Sequence, residues 1–423
     1  MRYSWVSVMR RKLVFVFSAV VAWCTILPSA FGQEAEQGQK KIPKLRAYTT
    51  IRPAKPADAE KIQNDIDATG ASSLTSLPLF TYHVNSSRDG NHYSGVMVGS
   101  NPFTGRGSST VPTFIVPLIF VTHTVGVSFD PNSGIIGTVP GKTTFDPTAA
   151  DNACLTAPNN VPLALYQQSP IFNSANFSFG GTFVGDTQYV DAFQRGNFWN
   201  VENQDTFHTL LGRIKTLAPI VINVPQGFGT TLPQSDFPSC GPFGIVDFIY
   251  LDVLLTNTVL PSLASQGVNA SSFPTFLMYN VVLAHPVNNL GSCCVLGYHG
   301  AANSPVQTYS PIDFDTTGLF GPAISDTSIA AHEVAEWMDD PFGSNATPLW
   351  GHTGQVGGCQ GNLEDGDPLT GTNAPPVVMP NGFTYHLQEL VFFSWFYGAP
   401  SIGVNGWFSD NGSFLTDAGP VCK

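Results

Sequence analysis

Between Ala331 and Pro341 the chain reads Ala-His-Glu-Val-Ala-Glu-Trp-Met-Asp-Asp-Pro, and this stretch restricts the fold more than any other. A helix stacks positions i and i+4 on one face, so it would bring His332 and Glu336 together with Glu333 beside them. Pro341 bars the helix from continuing, and Ser325 or Asp326 are candidate caps at its start. Ala331, Val334, Ala335, Trp337 and Met338 make the other sides apolar, which predicts a mostly buried helix with one polar seam. Buried carboxylates need a partner, and a histidine with a carboxylate one turn away suits a zinc ion. Glu333 would then stand where a general base holds the water that the metal activates. The competing reading is a polar seam with no ion. The chain has only eight Glu and nine His, so the pattern is a rare one by chance.

A catalytic zinc takes three protein ligands and a water, so a third ligand is expected. His352, the cluster Glu364-Asp365-Gly366-Asp367-Pro368 and His386 lie downstream. His352 sits in a Gly-rich loop, and His386 opens the apolar segment 387–397, where it reads equally well as a helix-start histidine. The acidic cluster is favoured, because Gly366 and Pro368 fix a turn and its carboxylates repel one another unless a cation or donors compensate. Calcium is the rival ion there, but the Asp-x-Asp-x-Asp spacing of an EF-hand is missing. The expected metal set is therefore His332 and Glu336 with Glu364 or Asp367, holding one zinc ion. His299, Tyr298 and His386 are unranked candidates for stabilising an oxyanion.

The N-terminus carries Arg10-Arg11-Lys12, an apolar run from Leu13 to Leu27, and then small residues to Gly32. This pattern predicts a secretory signal over 1–32, a secreted product and no stable membrane anchor. Without residues 1–32 the net charge moves from −12 to −16, which argues against a nucleic-acid partner. Six cysteines remain, at 154, 240, 293, 294, 359 and 422, and an even number in an exported chain predicts disulfides. Cys293 and Cys294 are expected to take different partners. No Cys-x-x-Cys occurs, which disfavours a sulfur-bound metal. The Asn-x-Ser/Thr sequons at Asn85, Asn176, Asn269, Asn345 and Asn411 match an Asn- and Ser-rich composition and matter only in a glycosylating host.

Residues 33–75 are polar and Pro-interrupted and read as a linker or arm. Short β-branched and aromatic runs follow over 79–84, 113–123, 126–129 and 176–184, so 76–180 reads as a β-rich half. Farther on, 186–199, 203–214 and 245–264 read as helices, and 276–284, 293–299 and 307–314 as strands, ahead of the motif helix. That order suits a zinc-peptidase-like domain over 181–423, where an edge strand pairs with an extended peptide. No repeat, phosphate loop or Gly-x-Ser-x-Gly elbow is present.

His332-Glu333-Val334-Ala335-Glu336, then Asp340-Pro341, then Glu364-x-Gly366-Asp367 resembles the pattern of the secreted plant phosphate-induced (EXORDIUM-like) proteins and related bacterial exported proteins. The likeness spans about residues 325–368, with a weaker match at Asn405-Gly406-Trp407. It implies that Asp367 or Glu364 is the third ligand and that the domain is zincin-like. The expected class is therefore α+β, a zincin-like C-terminal domain behind a β-rich N-terminal half. The function expected is that of a secreted zinc-dependent hydrolase acting on a peptide or protein. Zinc peptidases mostly carry histidine where Glu336 stands, and an anionic ligand makes metal-bound water less acidic. The alternative is therefore a non-enzymatic extracellular binding or structural protein with a structural metal site or polar core.

Overall fold

Strand residues that alternate between two apolar environments organise the molecule. In Phe273–Tyr279, the side chains of Phe273, Leu277 and Tyr279 enter one core cluster and those of Phe276 and Met278 enter another. Successive side chains of a strand point to opposite faces, so this strand lies in a sheet covered on both sides. The computed structural model describes residues 45, 48–51, 75–104, 107–123, 128–130, 134–136, 141–201, 206–232, 234, 237–288, 290–302, 305–351, 360–397, 402 and 409–413. The described residues all belong to one compact unit. The expected signal segment, His352, Cys359, Cys422 and the 405–407 match lie outside the described residues.

Eight strands form the main path of an 11-stranded sheet. They are β1 (Ser108–His123), β2 (His208–Thr216), β3 (Gly229–Leu232), β4 (Phe243–Asp247), β5 (Phe273–Tyr279), β6 (Val281–Ala284), β7 (Val295–Ala302) and β8 (Gln307–Phe314). Their spatial order is β2-β1-β5-β8-β7-β6-β4-β3. The β1, β2, β5 and β8 pairings are parallel, whereas β7 runs antiparallel to β8 and to β6. The far end turns back on the start, where the Thr231 and Thr122 hydroxyls of β3 and β1 hydrogen-bond at 2.5 Å, so the sheet is nearly closed. Strand Tyr48–Ile51, within the expected linker, pairs with β7, and the sheet crosses the division expected near residue 180.

The expected α+β, zincin-like class is overturned. Among the described residues 38% are strand and 20% helix, with one nearly closed mixed sheet in place of the zincin-like α+β domain. Three apolar segments carry the error. Most of 203–214, read as a helix, pairs as β2 with β1. The start of 245–264 lies in β4, and only Phe248 onward is helical. Of 387–397 only Ser394–Tyr397 is helical. The start of 245–264, buried on both faces in β4, loses the polar-apolar alternation that distinguishes a strand from a short helix, while half-exposed β2 has apolar spacing that fits either; sheet pairing decides. The helical run Phe248–Gln266 is long and apolar enough to cross a bilayer by composition; here Leu251, Leu255, Val259 and Leu263 pack into the second core cluster.

On the other face lie α1 (Tyr189–Asn197) and α2 (Ser328–Asp339), the motif helix, with Leu165 and Tyr166 of the short helix Pro162–Gln167 in the same cluster. All twelve α2 residues are buried, as expected for a helix that is apolar on most sides. Trp337 stacks on Phe273 of β5 with ring centroids 3.8 Å apart. The sulfurs of Cys154 and Cys240 lie at bonding distance, and so do those of Cys293 and Cys294. The expectation of different partners for the adjacent pair is therefore corrected.

Candidate metal centre

Helix α2 starts after Thr327 and ends at Asp339, one residue short of the Asp340-Pro341 pair that terminates it. Its approach to β7 depends on Gly297, where a Cβ would come within 2.7 Å of Ile329 Cγ2 and 3.0 Å of Glu333 Cγ. The absence of a side chain there lets Glu333 and Glu336 reach His299, two residues along β7 on the same face. Tyr298 points the other way, into the second core cluster, and its hydroxyl faces Asp252. It is therefore not in the site.

The loop after Gln360–Asn362 closes the site from the far side. Gly366 is required here by space, since a Cβ would lie 2.5 Å from His332 Nδ1. The backbone N–H groups of Gly366 and Asp367 donate to Glu336 Oε1 at 3.0 and 3.1 Å. His332 Nε2 lies 2.9 Å from the same oxygen and 3.6 Å from Asp367 Oδ1. On the β7 side, His299 Nδ1 is 3.4 Å from Glu333 Oε2 and 3.8 Å from Glu336 Oε2, and its Nε2 is 3.8 Å from Glu364 Oε1.

Two trios could therefore hold a metal ion, and they share Glu336: His299 with Glu336 and Glu364, and His332 with Glu336 and Asp367. Glu364 and Asp367, weighed as alternatives for one third ligand, fall in different trios. Asp365 joins neither; both its oxygens are buried without a hydrogen-bond partner. His386 belongs to neither trio, and its Nδ1 lies 2.6 Å from Asp326 Oδ2. His299 is the residue that sequence reasoning undervalued. It lies 33 positions before His332, beyond any helical spacing, and only the β7–α2 packing brings it in.

Every member except Asp367 is essentially inaccessible, and the Asp367 side chain is 22% exposed. Burial first, then the charges of Glu336 and Asp367, raises the Glu333 carboxyl well above its ordinary range. Burial first, then Glu336 and Asp340, does the same to Glu364. Burial lowers the His299 imidazole to about 4, so that ring is neutral. Glu336 is the exception: burial pushes it up, but the adjacent His332, which donates to it, carries it below the usual value. Acceptor atoms thus face one another, and Glu333 Oε1, Glu336 Oε2 and both oxygens of Glu364 have no hydrogen-bond partner. Buried carboxylates left so are costly unless protons or a cation intervene, so the donor set fits a metal ion.

Compared with known proteins, the chain matches no family model, no curated protein and no solved structure.

Proposed function

We propose that this chain is a secreted zinc-dependent hydrolase, peptidase-like in its chemistry, with its ion in the cluster of His299, His332, Glu336, Glu364 and Asp367. The observation that carries this reading is Glu333. It is wholly buried on the ligand face of α2 yet stands outside both trios, with Oε1 unpartnered. A purely structural site has no use for such an additional carboxylate, whereas hydrolysis needs a base beside the metal. Nitrogen and oxygen donors without sulfur suit zinc. A bound zinc ion would supply Lewis acidity toward a carbonyl and toward water. Glu333 takes and returns the proton, and the Gly366 and Asp367 N–H groups hold Glu336 in place. The likeness of residues 325–368 to the phosphate-induced secreted proteins belongs to the same proposal.

A second reading, a structural metal site in a non-enzymatic extracellular protein, is favoured by the burial of every ligand but Asp367. One variant separates the two. Glu333→Gln keeps shape and removes basicity, so the hydrolase reading expects retained zinc with cleavage of a mixed peptide library lowered roughly a hundredfold or more. A parent that binds zinc and cleaves nothing leaves the structural reading. A parent that carries no zinc or other transition metal, and takes none up on titration, removes both.

A further inference from the structure

Hydrogen-bond accounting distinguishes the two imidazoles. Gln388 Nε2 lies 2.6 Å from the Gly366 carbonyl and 2.8 Å from His332 Nδ1. A carbonyl only accepts, so this atom is the amide nitrogen, and its second hydrogen goes to His332 Nδ1. His332 therefore keeps its proton on Nε2 and donates it to Glu336 Oε1, which already receives the Gly366 and Asp367 N–H groups. That end of Glu336 is satisfied by three donors, and His332 has no lone pair left to give.

His299 has the opposite tautomer. Its Nε2 is 3.0 Å from the Asp340 carbonyl, so Nε2 carries the hydrogen and Nδ1 is bare. The bare nitrogen faces Glu333 Oε2 and Glu336 Oε2, at 3.4 and 3.8 Å. Glu336 Oε2 and both oxygens of Glu364 receive no N–H or hydroxyl. Glu336 and Glu364 lie close enough to share a proton, and it is this proton that a bound metal ion would displace. Metal bonds of about 2 Å at tetrahedral angles set ligand atoms roughly 3.3–3.6 Å apart, a little under the 3.8 Å between His299 Nδ1 and Glu336 Oε2, and His299, Glu336 and Glu364 each offer a ligand atom within 4.8 Å of the others.

We propose that the ion is bound by His299 Nδ1, Glu336 Oε2 and Glu364, and that His332 is a positioning residue that holds Glu336 through its other oxygen. The proposal rests on the metal-binding reading above and moves the ligand imidazole from the motif helix to the sheet. The Asp340-Pro341 turn then has a defined task, because the Asp340 carbonyl fixes the tautomer of the ligand histidine.

The test is zinc titration of metal-free full chain, with His299→Gln and His332→Gln beside the parent and cobalt(II) absorption as a second readout. The expected result is one equivalent in the parent and binding lost by more than a hundredfold in His299→Gln. His332→Gln, whose amide still donates to Glu336, should weaken binding only about tenfold and keep the parent's cobalt spectrum. Imidazole ¹⁵N spectra of the zinc-loaded parent need no variant: His299 Nδ1 should shift on metal binding while His332 Nε2 keeps its proton. Loss of binding in His332→Gln with retention in His299→Gln overturns the assignment and leaves the metal reading intact. Two equivalents in the parent overturn it as well. A parent that binds no zinc removes the metal reading and the assignment together.

Discussion

Asp191 and Glu364 are both buried carboxylates, and the fold treats them in opposite ways. Asp191 on α1 accepts from the Thr187 hydroxyl at 2.6 Å and the Thr209 N–H at 2.6 Å, and lies 2.7 Å from His208 Nδ1. Glu364 receives no N–H or hydroxyl on either oxygen; what it meets are the carboxyls of Glu336 and Asp340. The first is what a chain does when it needs a buried acid for structure: two strands and an imidazole supply its partners. A fold that satisfies one acid so fully and leaves another bare, beside a bare imidazole nitrogen, has arranged the second for something the polypeptide does not itself supply.

The largest expected effect falls on the satisfied side. Asp191→Ala strands the Thr187 and Thr209 donors and removes the partner of His208, so unfolding stability should drop by about 3–5 kcal/mol. Urea melts of metal-free protein measure it, and a loss under 1 kcal/mol would erase the distinction drawn here.

Asp315 and Asp410 stand between these extremes. Asp315 receives the Thr317 N–H at 3.0 Å, and Asp410 receives the Leu390 N–H at 3.3 Å and the Tyr189 hydroxyl. Burial nevertheless pushes them up to about 7 and about 8. In the unfolded chain they titrate near 3.9. Between those limits the folded chain binds more protons than the unfolded one, so stability falls as pH rises from about 4 to about 8. Melting temperatures of metal-free protein across this window should decline. A rise over the same range would mean that donors alone hold these acids charged.

How much of this was legible in the residues depends on what each side chain answers to. The α2 helix, its end before Pro341 and the meeting of His332 with Glu336 follow from local spacing, which a helix converts directly into proximity. The strands over 79–85, 108–123 and 307–314 were visible because β-branched runs are bounded by turn residues. His299 was not, because strand-to-helix packing has no sequence period. The β2 strand was missed because Phe207, Leu210, Leu211 and Ile214 also fit a helical stripe, and only pairing with β1 resolves them. Asn345, one of the sequons, is wholly buried and bonded to Val96 and Asp339, a tertiary role that its triplet does not reveal.

The smallest effect is also the most discriminating, because its sign depends on the ion. Without metal, the Glu364 carboxyl faces only the carboxyls of Glu336 and Asp340 and is held above its ordinary range by burial and then by those neighbours. Glu364→Gln removes the charge and supplies an amide hydrogen to neighbouring carboxylate oxygens such as Glu336 Oε2, so the metal-free variant should be as stable as the parent or more stable by about 1 kcal/mol. With zinc in excess the order reverses. The parent gains stability in proportion to the logarithm of zinc over its dissociation constant, and the variant, lacking an anionic ligand, gains less. Paired thermal melts with zinc and with chelator therefore give four curves that must cross. If Glu364→Gln destabilises the metal-free chain by as much as Asp191→Ala does, then Glu364 has partners in the fold, and the contrast with Asp191 fails.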